Sequence, residues 1–168
     1  MSAKHIEGTL RGIQTKLRNS LNTCIATVNS DAPDDYALDV VDAADIYLGV
    51  RADVVKYPSG FITPLGSEPE ADLGTRVLWR HRVEVITILA DFTEEALAMK
   101  LMRAQRAVRE CILAGRIPSS TADPLAGYAL RHILDTYSPV FRDKDPEAGD
   151  FAQMVRSVFE IHQQQDIA

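Results

Sequence analysis

Asp53 and Glu84 are the residues of this sequence that come nearest to a catalytic pair. Carried on neighbouring strands, two carboxylates can hold a divalent ion and activate water against a phosphodiester. That chemistry also calls for a lysine two residues beyond the strand acid, to handle the attacking water. Glu84 is instead followed by Val85 and Ile86, and Lys56 stands three residues beyond Asp53, on the opposite face of a strand. Ion pairing of Glu84 with Arg80 and Arg82 on a sheet surface is the plainer reading.

Other reactive patterns are weaker still. His5, His81, His132 and His162 are scattered, and none lies within metal-ligand spacing of another histidine or of Cys24 or Cys111. The aspartates from Asp31 to Asp45 lack the turn glycine and closing glutamate of a calcium loop, so a solvated acidic loop is expected there. No phosphate-binding glycine loop and no nucleophile elbow is present, and Cys111 has no base near it in sequence. The chain therefore reads as a protein without a catalytic centre, metal or cofactor.

Charge offers a second kind of site. Lys100, Arg103, Arg106 and Arg109 recur at helical spacing, and acidic segments at 31–45, 66–72 and 143–150 fall in expected loops. A basic stripe of this kind is either a solvated face or one half of a complementary contact. Paired with acidic loops it suits head-to-tail association of identical subunits. Glu68, Glu70, Asp72 and Leu73, together with the four basic residues, are the candidate subunit or partner contacts.

These residues must be held by a framework, and Arg76–Ala114 is its centre. In RVLWRHRVEVITILADF, Val77, Trp79, Val83, Val85 and Leu89 fall on one face at a period of two. The other face changes from Arg80, Arg82 and Glu84 to Ile86, Ile88 and Ala90, as in a strand running from a sheet rim into its middle. A helix follows, opened by Asp91 or Thr93 as N-cap, with Leu97, Leu101, Ala104, Val108 and Ile112 as its buried stripe and Gly115 at its end. Residues 4–29 form another long amphipathic helix through Ile6, Leu10, Ile13, Leu17, Leu21, Cys24, Ile25 and Val28, with Gly8 and Gly12 weakening its start.

The remaining segments are less regular. Residues 29–45 read as an irregular connection containing a short turn of helix. Ile46–Tyr57 suggests a strand closed by a turn at Pro58-Ser59-Gly60, Phe61–Leu65 a short return strand, and Gly66–Gly74 an exposed loop. Beyond a connection at 117–124, Asp123-Pro124 predicts a helix reaching about His132. Tyr137–Arg142 leans towards strand, and RDKDPEAGD is a charged turn. FAQMVRSVFEIHQQQ fits both periods; the turn before it and the β-rich VFEI favour a final strand. The expected fold is one α+β domain over 1–168, with a loop or helical insertion near 117–136. Its mainly antiparallel sheet is flanked by two long amphipathic helices in the order α-β-β-β-α-β.

At 168 residues, with 46% hydrophobic and 25% charged residues, the chain can bury a full core. A net charge of -6 argues against general nucleic-acid binding. Nothing near the N-terminus has signal-peptide character, and no stretch reaches the roughly 18 apolar residues a membrane span needs. Cys24 and Cys111 both fall on apolar sides of expected helices, as free thiols of a cytosolic protein would.

The order of elements resembles that of the tail terminator proteins of long-tailed bacteriophages. RHRVEVITILADFTEEALAMKLMRAQRAVRECILA and SPVFRDKDPEAGDFAQMVRSVFEIHQQQ carry the likeness, which spans nearly the whole chain but rests on pattern, without a short diagnostic motif. The acidic 31–45 segment and the 117–136 insertion exceed a minimal member. The resemblance implies a structural virion subunit that forms a ring, usually a hexamer. Such a ring caps the tail tube, stops its polymerisation and joins the tail to the neck or connector proteins, while DNA passes through the lumen without specific binding. A stopper or other neck subunit is the alternative it leaves open. It implies no catalytic site.

Overall fold

The computed structural model describes residues 2–49, 56–72, 74, 76–114, 123–125, 128–142 and 149–166. Two helices, α1 (Ser2–Asp31) and α2 (Glu94–Leu113), accompany strands β1 (Ile46–Leu48), β2 (Ser59–Asp72), β3 (Arg76–Asp91), β4 (Ala129–Tyr137), β5 (Phe141–Arg142) and β6 (Phe151–Asp166). The strands form one sheet in the order β1-β2-β3-β6-β4, and β5 also pairs with β6. All pairings are antiparallel except β1 with β2. The fold is a single α+β domain, as the two hydrophobic periods predict.

β3 is the middle strand of the path, and its pairing with β6 runs unbroken from Arg76↔Asp166 to Asp91↔Phe151. That register resolves the two-way reading of the tail. Val155, Phe159 and Ile161 enter the main core alongside Val83, Val85 and Leu89, while Met154 packs on the other face with Phe61, Ile86 and Ile88. A strand with apolar residues on both faces belongs inside a sheet, where each buried large side chain contributes about 1.5–3 kcal/mol.

α1 and α2 lie side by side over one face of the sheet, in opposite directions. Arg106 of α2 reaches Asp31 at the end of α1, whereas Cys111 lies against the Lys16 carbonyl, about four turns earlier in α1. Most of the expected stripes is buried, with Ile13, Leu17, Leu21, Ile25 and Val28 on α1 and Leu97, Leu101, Ala104, Val108 and Ile112 on α2, while Ile6, Leu10 and Cys24 are half-buried. Thr93 is the N-cap of α2, its hydroxyl accepting from the Ala96 amide at 3.1 Å. Asp91 instead accepts from the Phe92 amide at 2.8 Å. Gly115 lies outside the described residues, and Ala114 is the C-cap. Gly12 marks a close approach: a Cβ there would stand 2.9 Å from Leu125 Cδ2 and 3.2 Å from the Pro124 carbonyl oxygen.

Three expectations need correction. The loop expected at 66–74 is strand as far as Asp72, because β2 runs on along β3 through irregularities at Pro64/Gly66 and Pro69/Ala71. The same strand begins at Ser59, so Pro58-Ser59-Gly60 is no hairpin turn, and β1 runs parallel to β2 over Ile46–Leu48. The helix expected from Pro124 to His132 is not formed: Asp123 caps a turn by accepting from the Leu125 amide at 2.9 Å, and Ala129 already starts β4. In each case a partner strand supplies the ladder that local composition did not advertise.

Candidate functional site

Three of the basic residues on α2 find acidic partners within the same chain. Lys100 Nζ stands 2.8 Å from Asp91. Arg103, only 8% exposed, donates to Asp34 at 2.5 Å and to the Tyr36 carbonyl at 2.8 Å. Arg106 donates to Asp31 and, at 2.6 Å, to Glu110. Arg109 is half-buried, and its charge acts on the Tyr137 phenol, whose pKa burial and Asp135 push upward. The hydrogen bond from Arg103, aided by the Tyr36 amide, holds Asp34 below the usual carboxylate range.

The acidic connection after α1 is therefore a strap fastened across both helices. Its backbone is stitched to α1 by side-chain amides that imitate a strand pairing. Asn29 donates to the Leu38 carbonyl at 3.0 Å and accepts from its amide at 2.9 Å. Asn22 makes the same two bonds to Val41, both at 2.9 Å. Gln14 and Arg18 each donate to the Ile46 carbonyl at 2.9 Å. Asp42 then caps the short 3-10 turn Ala43–Asp45. Gln14, Asn22 and Asn29 do not stand out in the sequence; the available signal is a line of amide side chains along one flank of a helix.

Glu68, Glu70 and Asp72 are likewise engaged. Glu68 accepts from Arg80 at 2.6 and 3.0 Å, and Glu70 meets His162 Nδ1 at 2.7 Å. Asp72 accepts from the Gly74 amide at 2.8 Å, while Leu73 lies outside the described residues. His162 Nε2 also faces Glu160 at 3.1 Å, and Arg82 reaches Glu160 at 3.3 Å. Burial alone would raise Glu160, but hydrogen bonds from Arg82 and His162 and the charge of Arg80 outweigh it and hold this carboxyl low. On the sheet face away from the helices, the part around Arg80 and Arg82 is thus laced with ion pairs.

Of the two carboxylates considered for catalysis, Asp53 lies outside the described residues. Glu84 accepts from the Thr63 hydroxyl at 3.2 Å and faces Arg156 at 4.0 Å. His81 is fully buried, with Ser67 Oγ 2.7 Å from Nδ1 and Gln163 Oε1 3.2 Å from Nε2. Gln163 Oε1 can only accept, so in this amide orientation Nε2 donates to it. Trp79 stacks parallel to this ring at 6.4 Å. Among the described residues no three His, Cys, Asp or Glu side chains converge as metal ligands.

No protein-family model matches this chain, and no curated protein matches it either.

What is left open is backbone and apolar surface at the sheet's rims. β1 covers β2 only as far as Ile62, and among the described residues no strand pairs with the outer side of β2 from Thr63 to Asp72. That rim carries Pro64, Pro69, two irregularities and three carboxylates, the features that discourage edge pairing. Leu48 and Leu65 are exposed on that side, and the opposite rim exposes more large apolar residues. Along β4 and β5, Ile133, Leu134, Tyr137, Val140 and Phe141 are each 39–46% exposed. No helix among the described residues is long and apolar enough to cross a membrane.

Proposed function

We propose that this protein is a structural subunit of a phage tail, a terminator that forms a ring at the end of the tail tube, a hexamer by family resemblance. It would stop tube polymerisation and join the tail to neck or connector proteins in the virion, letting DNA pass through its lumen. The observation that carries this reading is the contrast between the two rims. Charged side chains on α2 and on the sheet are largely satisfied inside the chain, whereas the β4–β5 rim exposes several large apolar side chains along an edge strand. A surface of that kind fits contact with another subunit.

This assigns subunit contact first to the β4–β5 rim. Lys100, Arg103 and Arg106 act mainly as internal fasteners, with Glu68, Glu70 and Asp72 at the far rim, where a neighbour could approach. No cofactor, metal or chemical step is required.

The test is assembly. Light scattering and negative-stain imaging of the purified chain are expected to give closed rings with a central hole, and added protein is expected to bind tube ends. Tubes assembled without it should lengthen without limit. A strict monomer with no effect on tube length overturns the proposal. Binding to connectors alone, with tube length unchanged, selects a stopper or other neck subunit instead.

A further inference from the structure

The two cysteines, far apart in sequence, are brought together between the helices. Both line one cavity of about 340 Å³, with Lys16, Asn19, Ser20, Ala114, Asp123 and Pro124 around them. Each thiol lies close enough to act on the other's ionisation. Cys24 is partly exposed, while Cys111 is buried, its thiol 3.8 Å from the Lys16 carbonyl oxygen. The same cavity wall carries the Lys16–Asp123 ion pair at 2.7 Å, which ties α1 to the turn before β4.

We propose that Cys24 and Cys111 are a modification site: a dithiol that low-molecular-weight disulfides such as glutathione disulfide close into a reversible bond clamping α1 to α2. The site is independent of the tail-subunit reading. The Cys24 thiolate attacks one sulfur of the reagent, forming a mixed disulfide and releasing the first thiolate. The Cys111 thiolate then attacks the Cys24 sulfur, forms the Cys24–Cys111 bond and expels the second thiolate. The two protein protons pass to the released thiolates; the protein loses two electrons and the reagent gains them.

Accessibility sets the order of events. Cys24 meets the reagent because it is the thiol nearer solvent, and Cys111 is placed to resolve the adduct. Burial raises both thiols, that of Cys111 to about 12, so the thiolates are scarce near neutrality. The reaction is accordingly slow at neutral pH and accelerates as pH rises.

Native full-length protein is incubated with excess glutathione disulfide at several pH values and followed by intact mass and unreduced peptide mapping. The expected product has lost two hydrogen atoms, contains a Cys24–Cys111 cross-linked peptide, keeps its circular dichroism and reverts in dithiothreitol. Cys111→Ser should stop at a glutathione adduct on Cys24, and Cys24→Ser should slow modification about tenfold or more. The proposal is overturned if the unsubstituted protein stops at the mixed disulfide, retains both thiols throughout, pairs between molecules, or cross-links only after denaturant is added.

Discussion

The guanidinium of Arg103 on α2 sits 2.5 Å from the carboxylate of Asp34, in the strap that follows α1. A second bond from the same group, to the Tyr36 carbonyl, fixes the strap's path, so one arginine joins the central helix to a segment that has no regular structure of its own. Truncating Arg103 to alanine leaves that carbonyl without its donor. Arg103→Ala is expected to destabilise the fold by about 1–3 kcal/mol, read from the urea midpoint. Arg103→Lys should recover only part of the loss, because an ammonium cannot reproduce the fork.

The two asparagines of α1 make a more local prediction. Asn22→Ala and Asn29→Ala each remove a pair of hydrogen bonds to the strap backbone. Each should cost about 1–2 kcal/mol, and hydrogen exchange at Leu38 and Val41 should quicken much more than exchange in β3. Equal acceleration throughout the chain would contradict a strap that opens locally.

Glycines on one helix are expected to behave oppositely. A Cβ at Gly8 would meet nothing within 4 Å, so Gly8→Ala should stabilise by about 0.5–1 kcal/mol through helix propensity. Gly12→Ala gains the same propensity but drives its methyl against Leu125 and the Pro124 carbonyl, with a net loss of about 1–3 kcal/mol. Thermal unfolding of the two variants side by side gives the comparison.

Acid should loosen the molecule in a defined direction. Asp34 is held low chiefly by the Arg103 hydrogen bond; Asp123 and Glu160 are held low by Lys16 and by Arg82 with His162, against the burial that would raise them. A carboxyl with a depressed folded pKa stabilises the fold above its unfolded pKa, and that stability is lost as pH falls through the folded value. The urea midpoint should therefore be level near neutrality and decline below about pH 4, where unfolded carboxylates begin to protonate. Lys16→Met should flatten part of that decline. An unchanged midpoint through the acid range would contradict the three pairings.

On the β4–β5 rim, Leu134→Glu places a charge where an apolar side chain is 45% exposed. Association of subunits should weaken about tenfold or more, equivalent to about 1.4 kcal/mol, with little change in unfolding temperature. Sedimentation over a concentration series separates this from a folding defect. Unaltered association would exclude the rim as the contact.

The chain's own residues determined α1, β3, α2 and the strand character of β6, because periods of 3.6 and two are written locally and each buries one face. The free state of both cysteines and the division of β3 into a charged and an apolar half were legible in the same way. Charge types at the candidate contacts were legible too; their partners were not. Arg103 and Asp34 are 69 residues apart, and only the antiparallel seating of α1 and α2 brings them together. β2 beyond Gly66 and most of β4 read as loop and helix, since prolines, glycines and polar residues carry no strand period of their own. Their hydrogen-bond ladders come from β3 and β6. Pairing is a non-local interaction, and tertiary structure decided it, along with which rim of the sheet remains open.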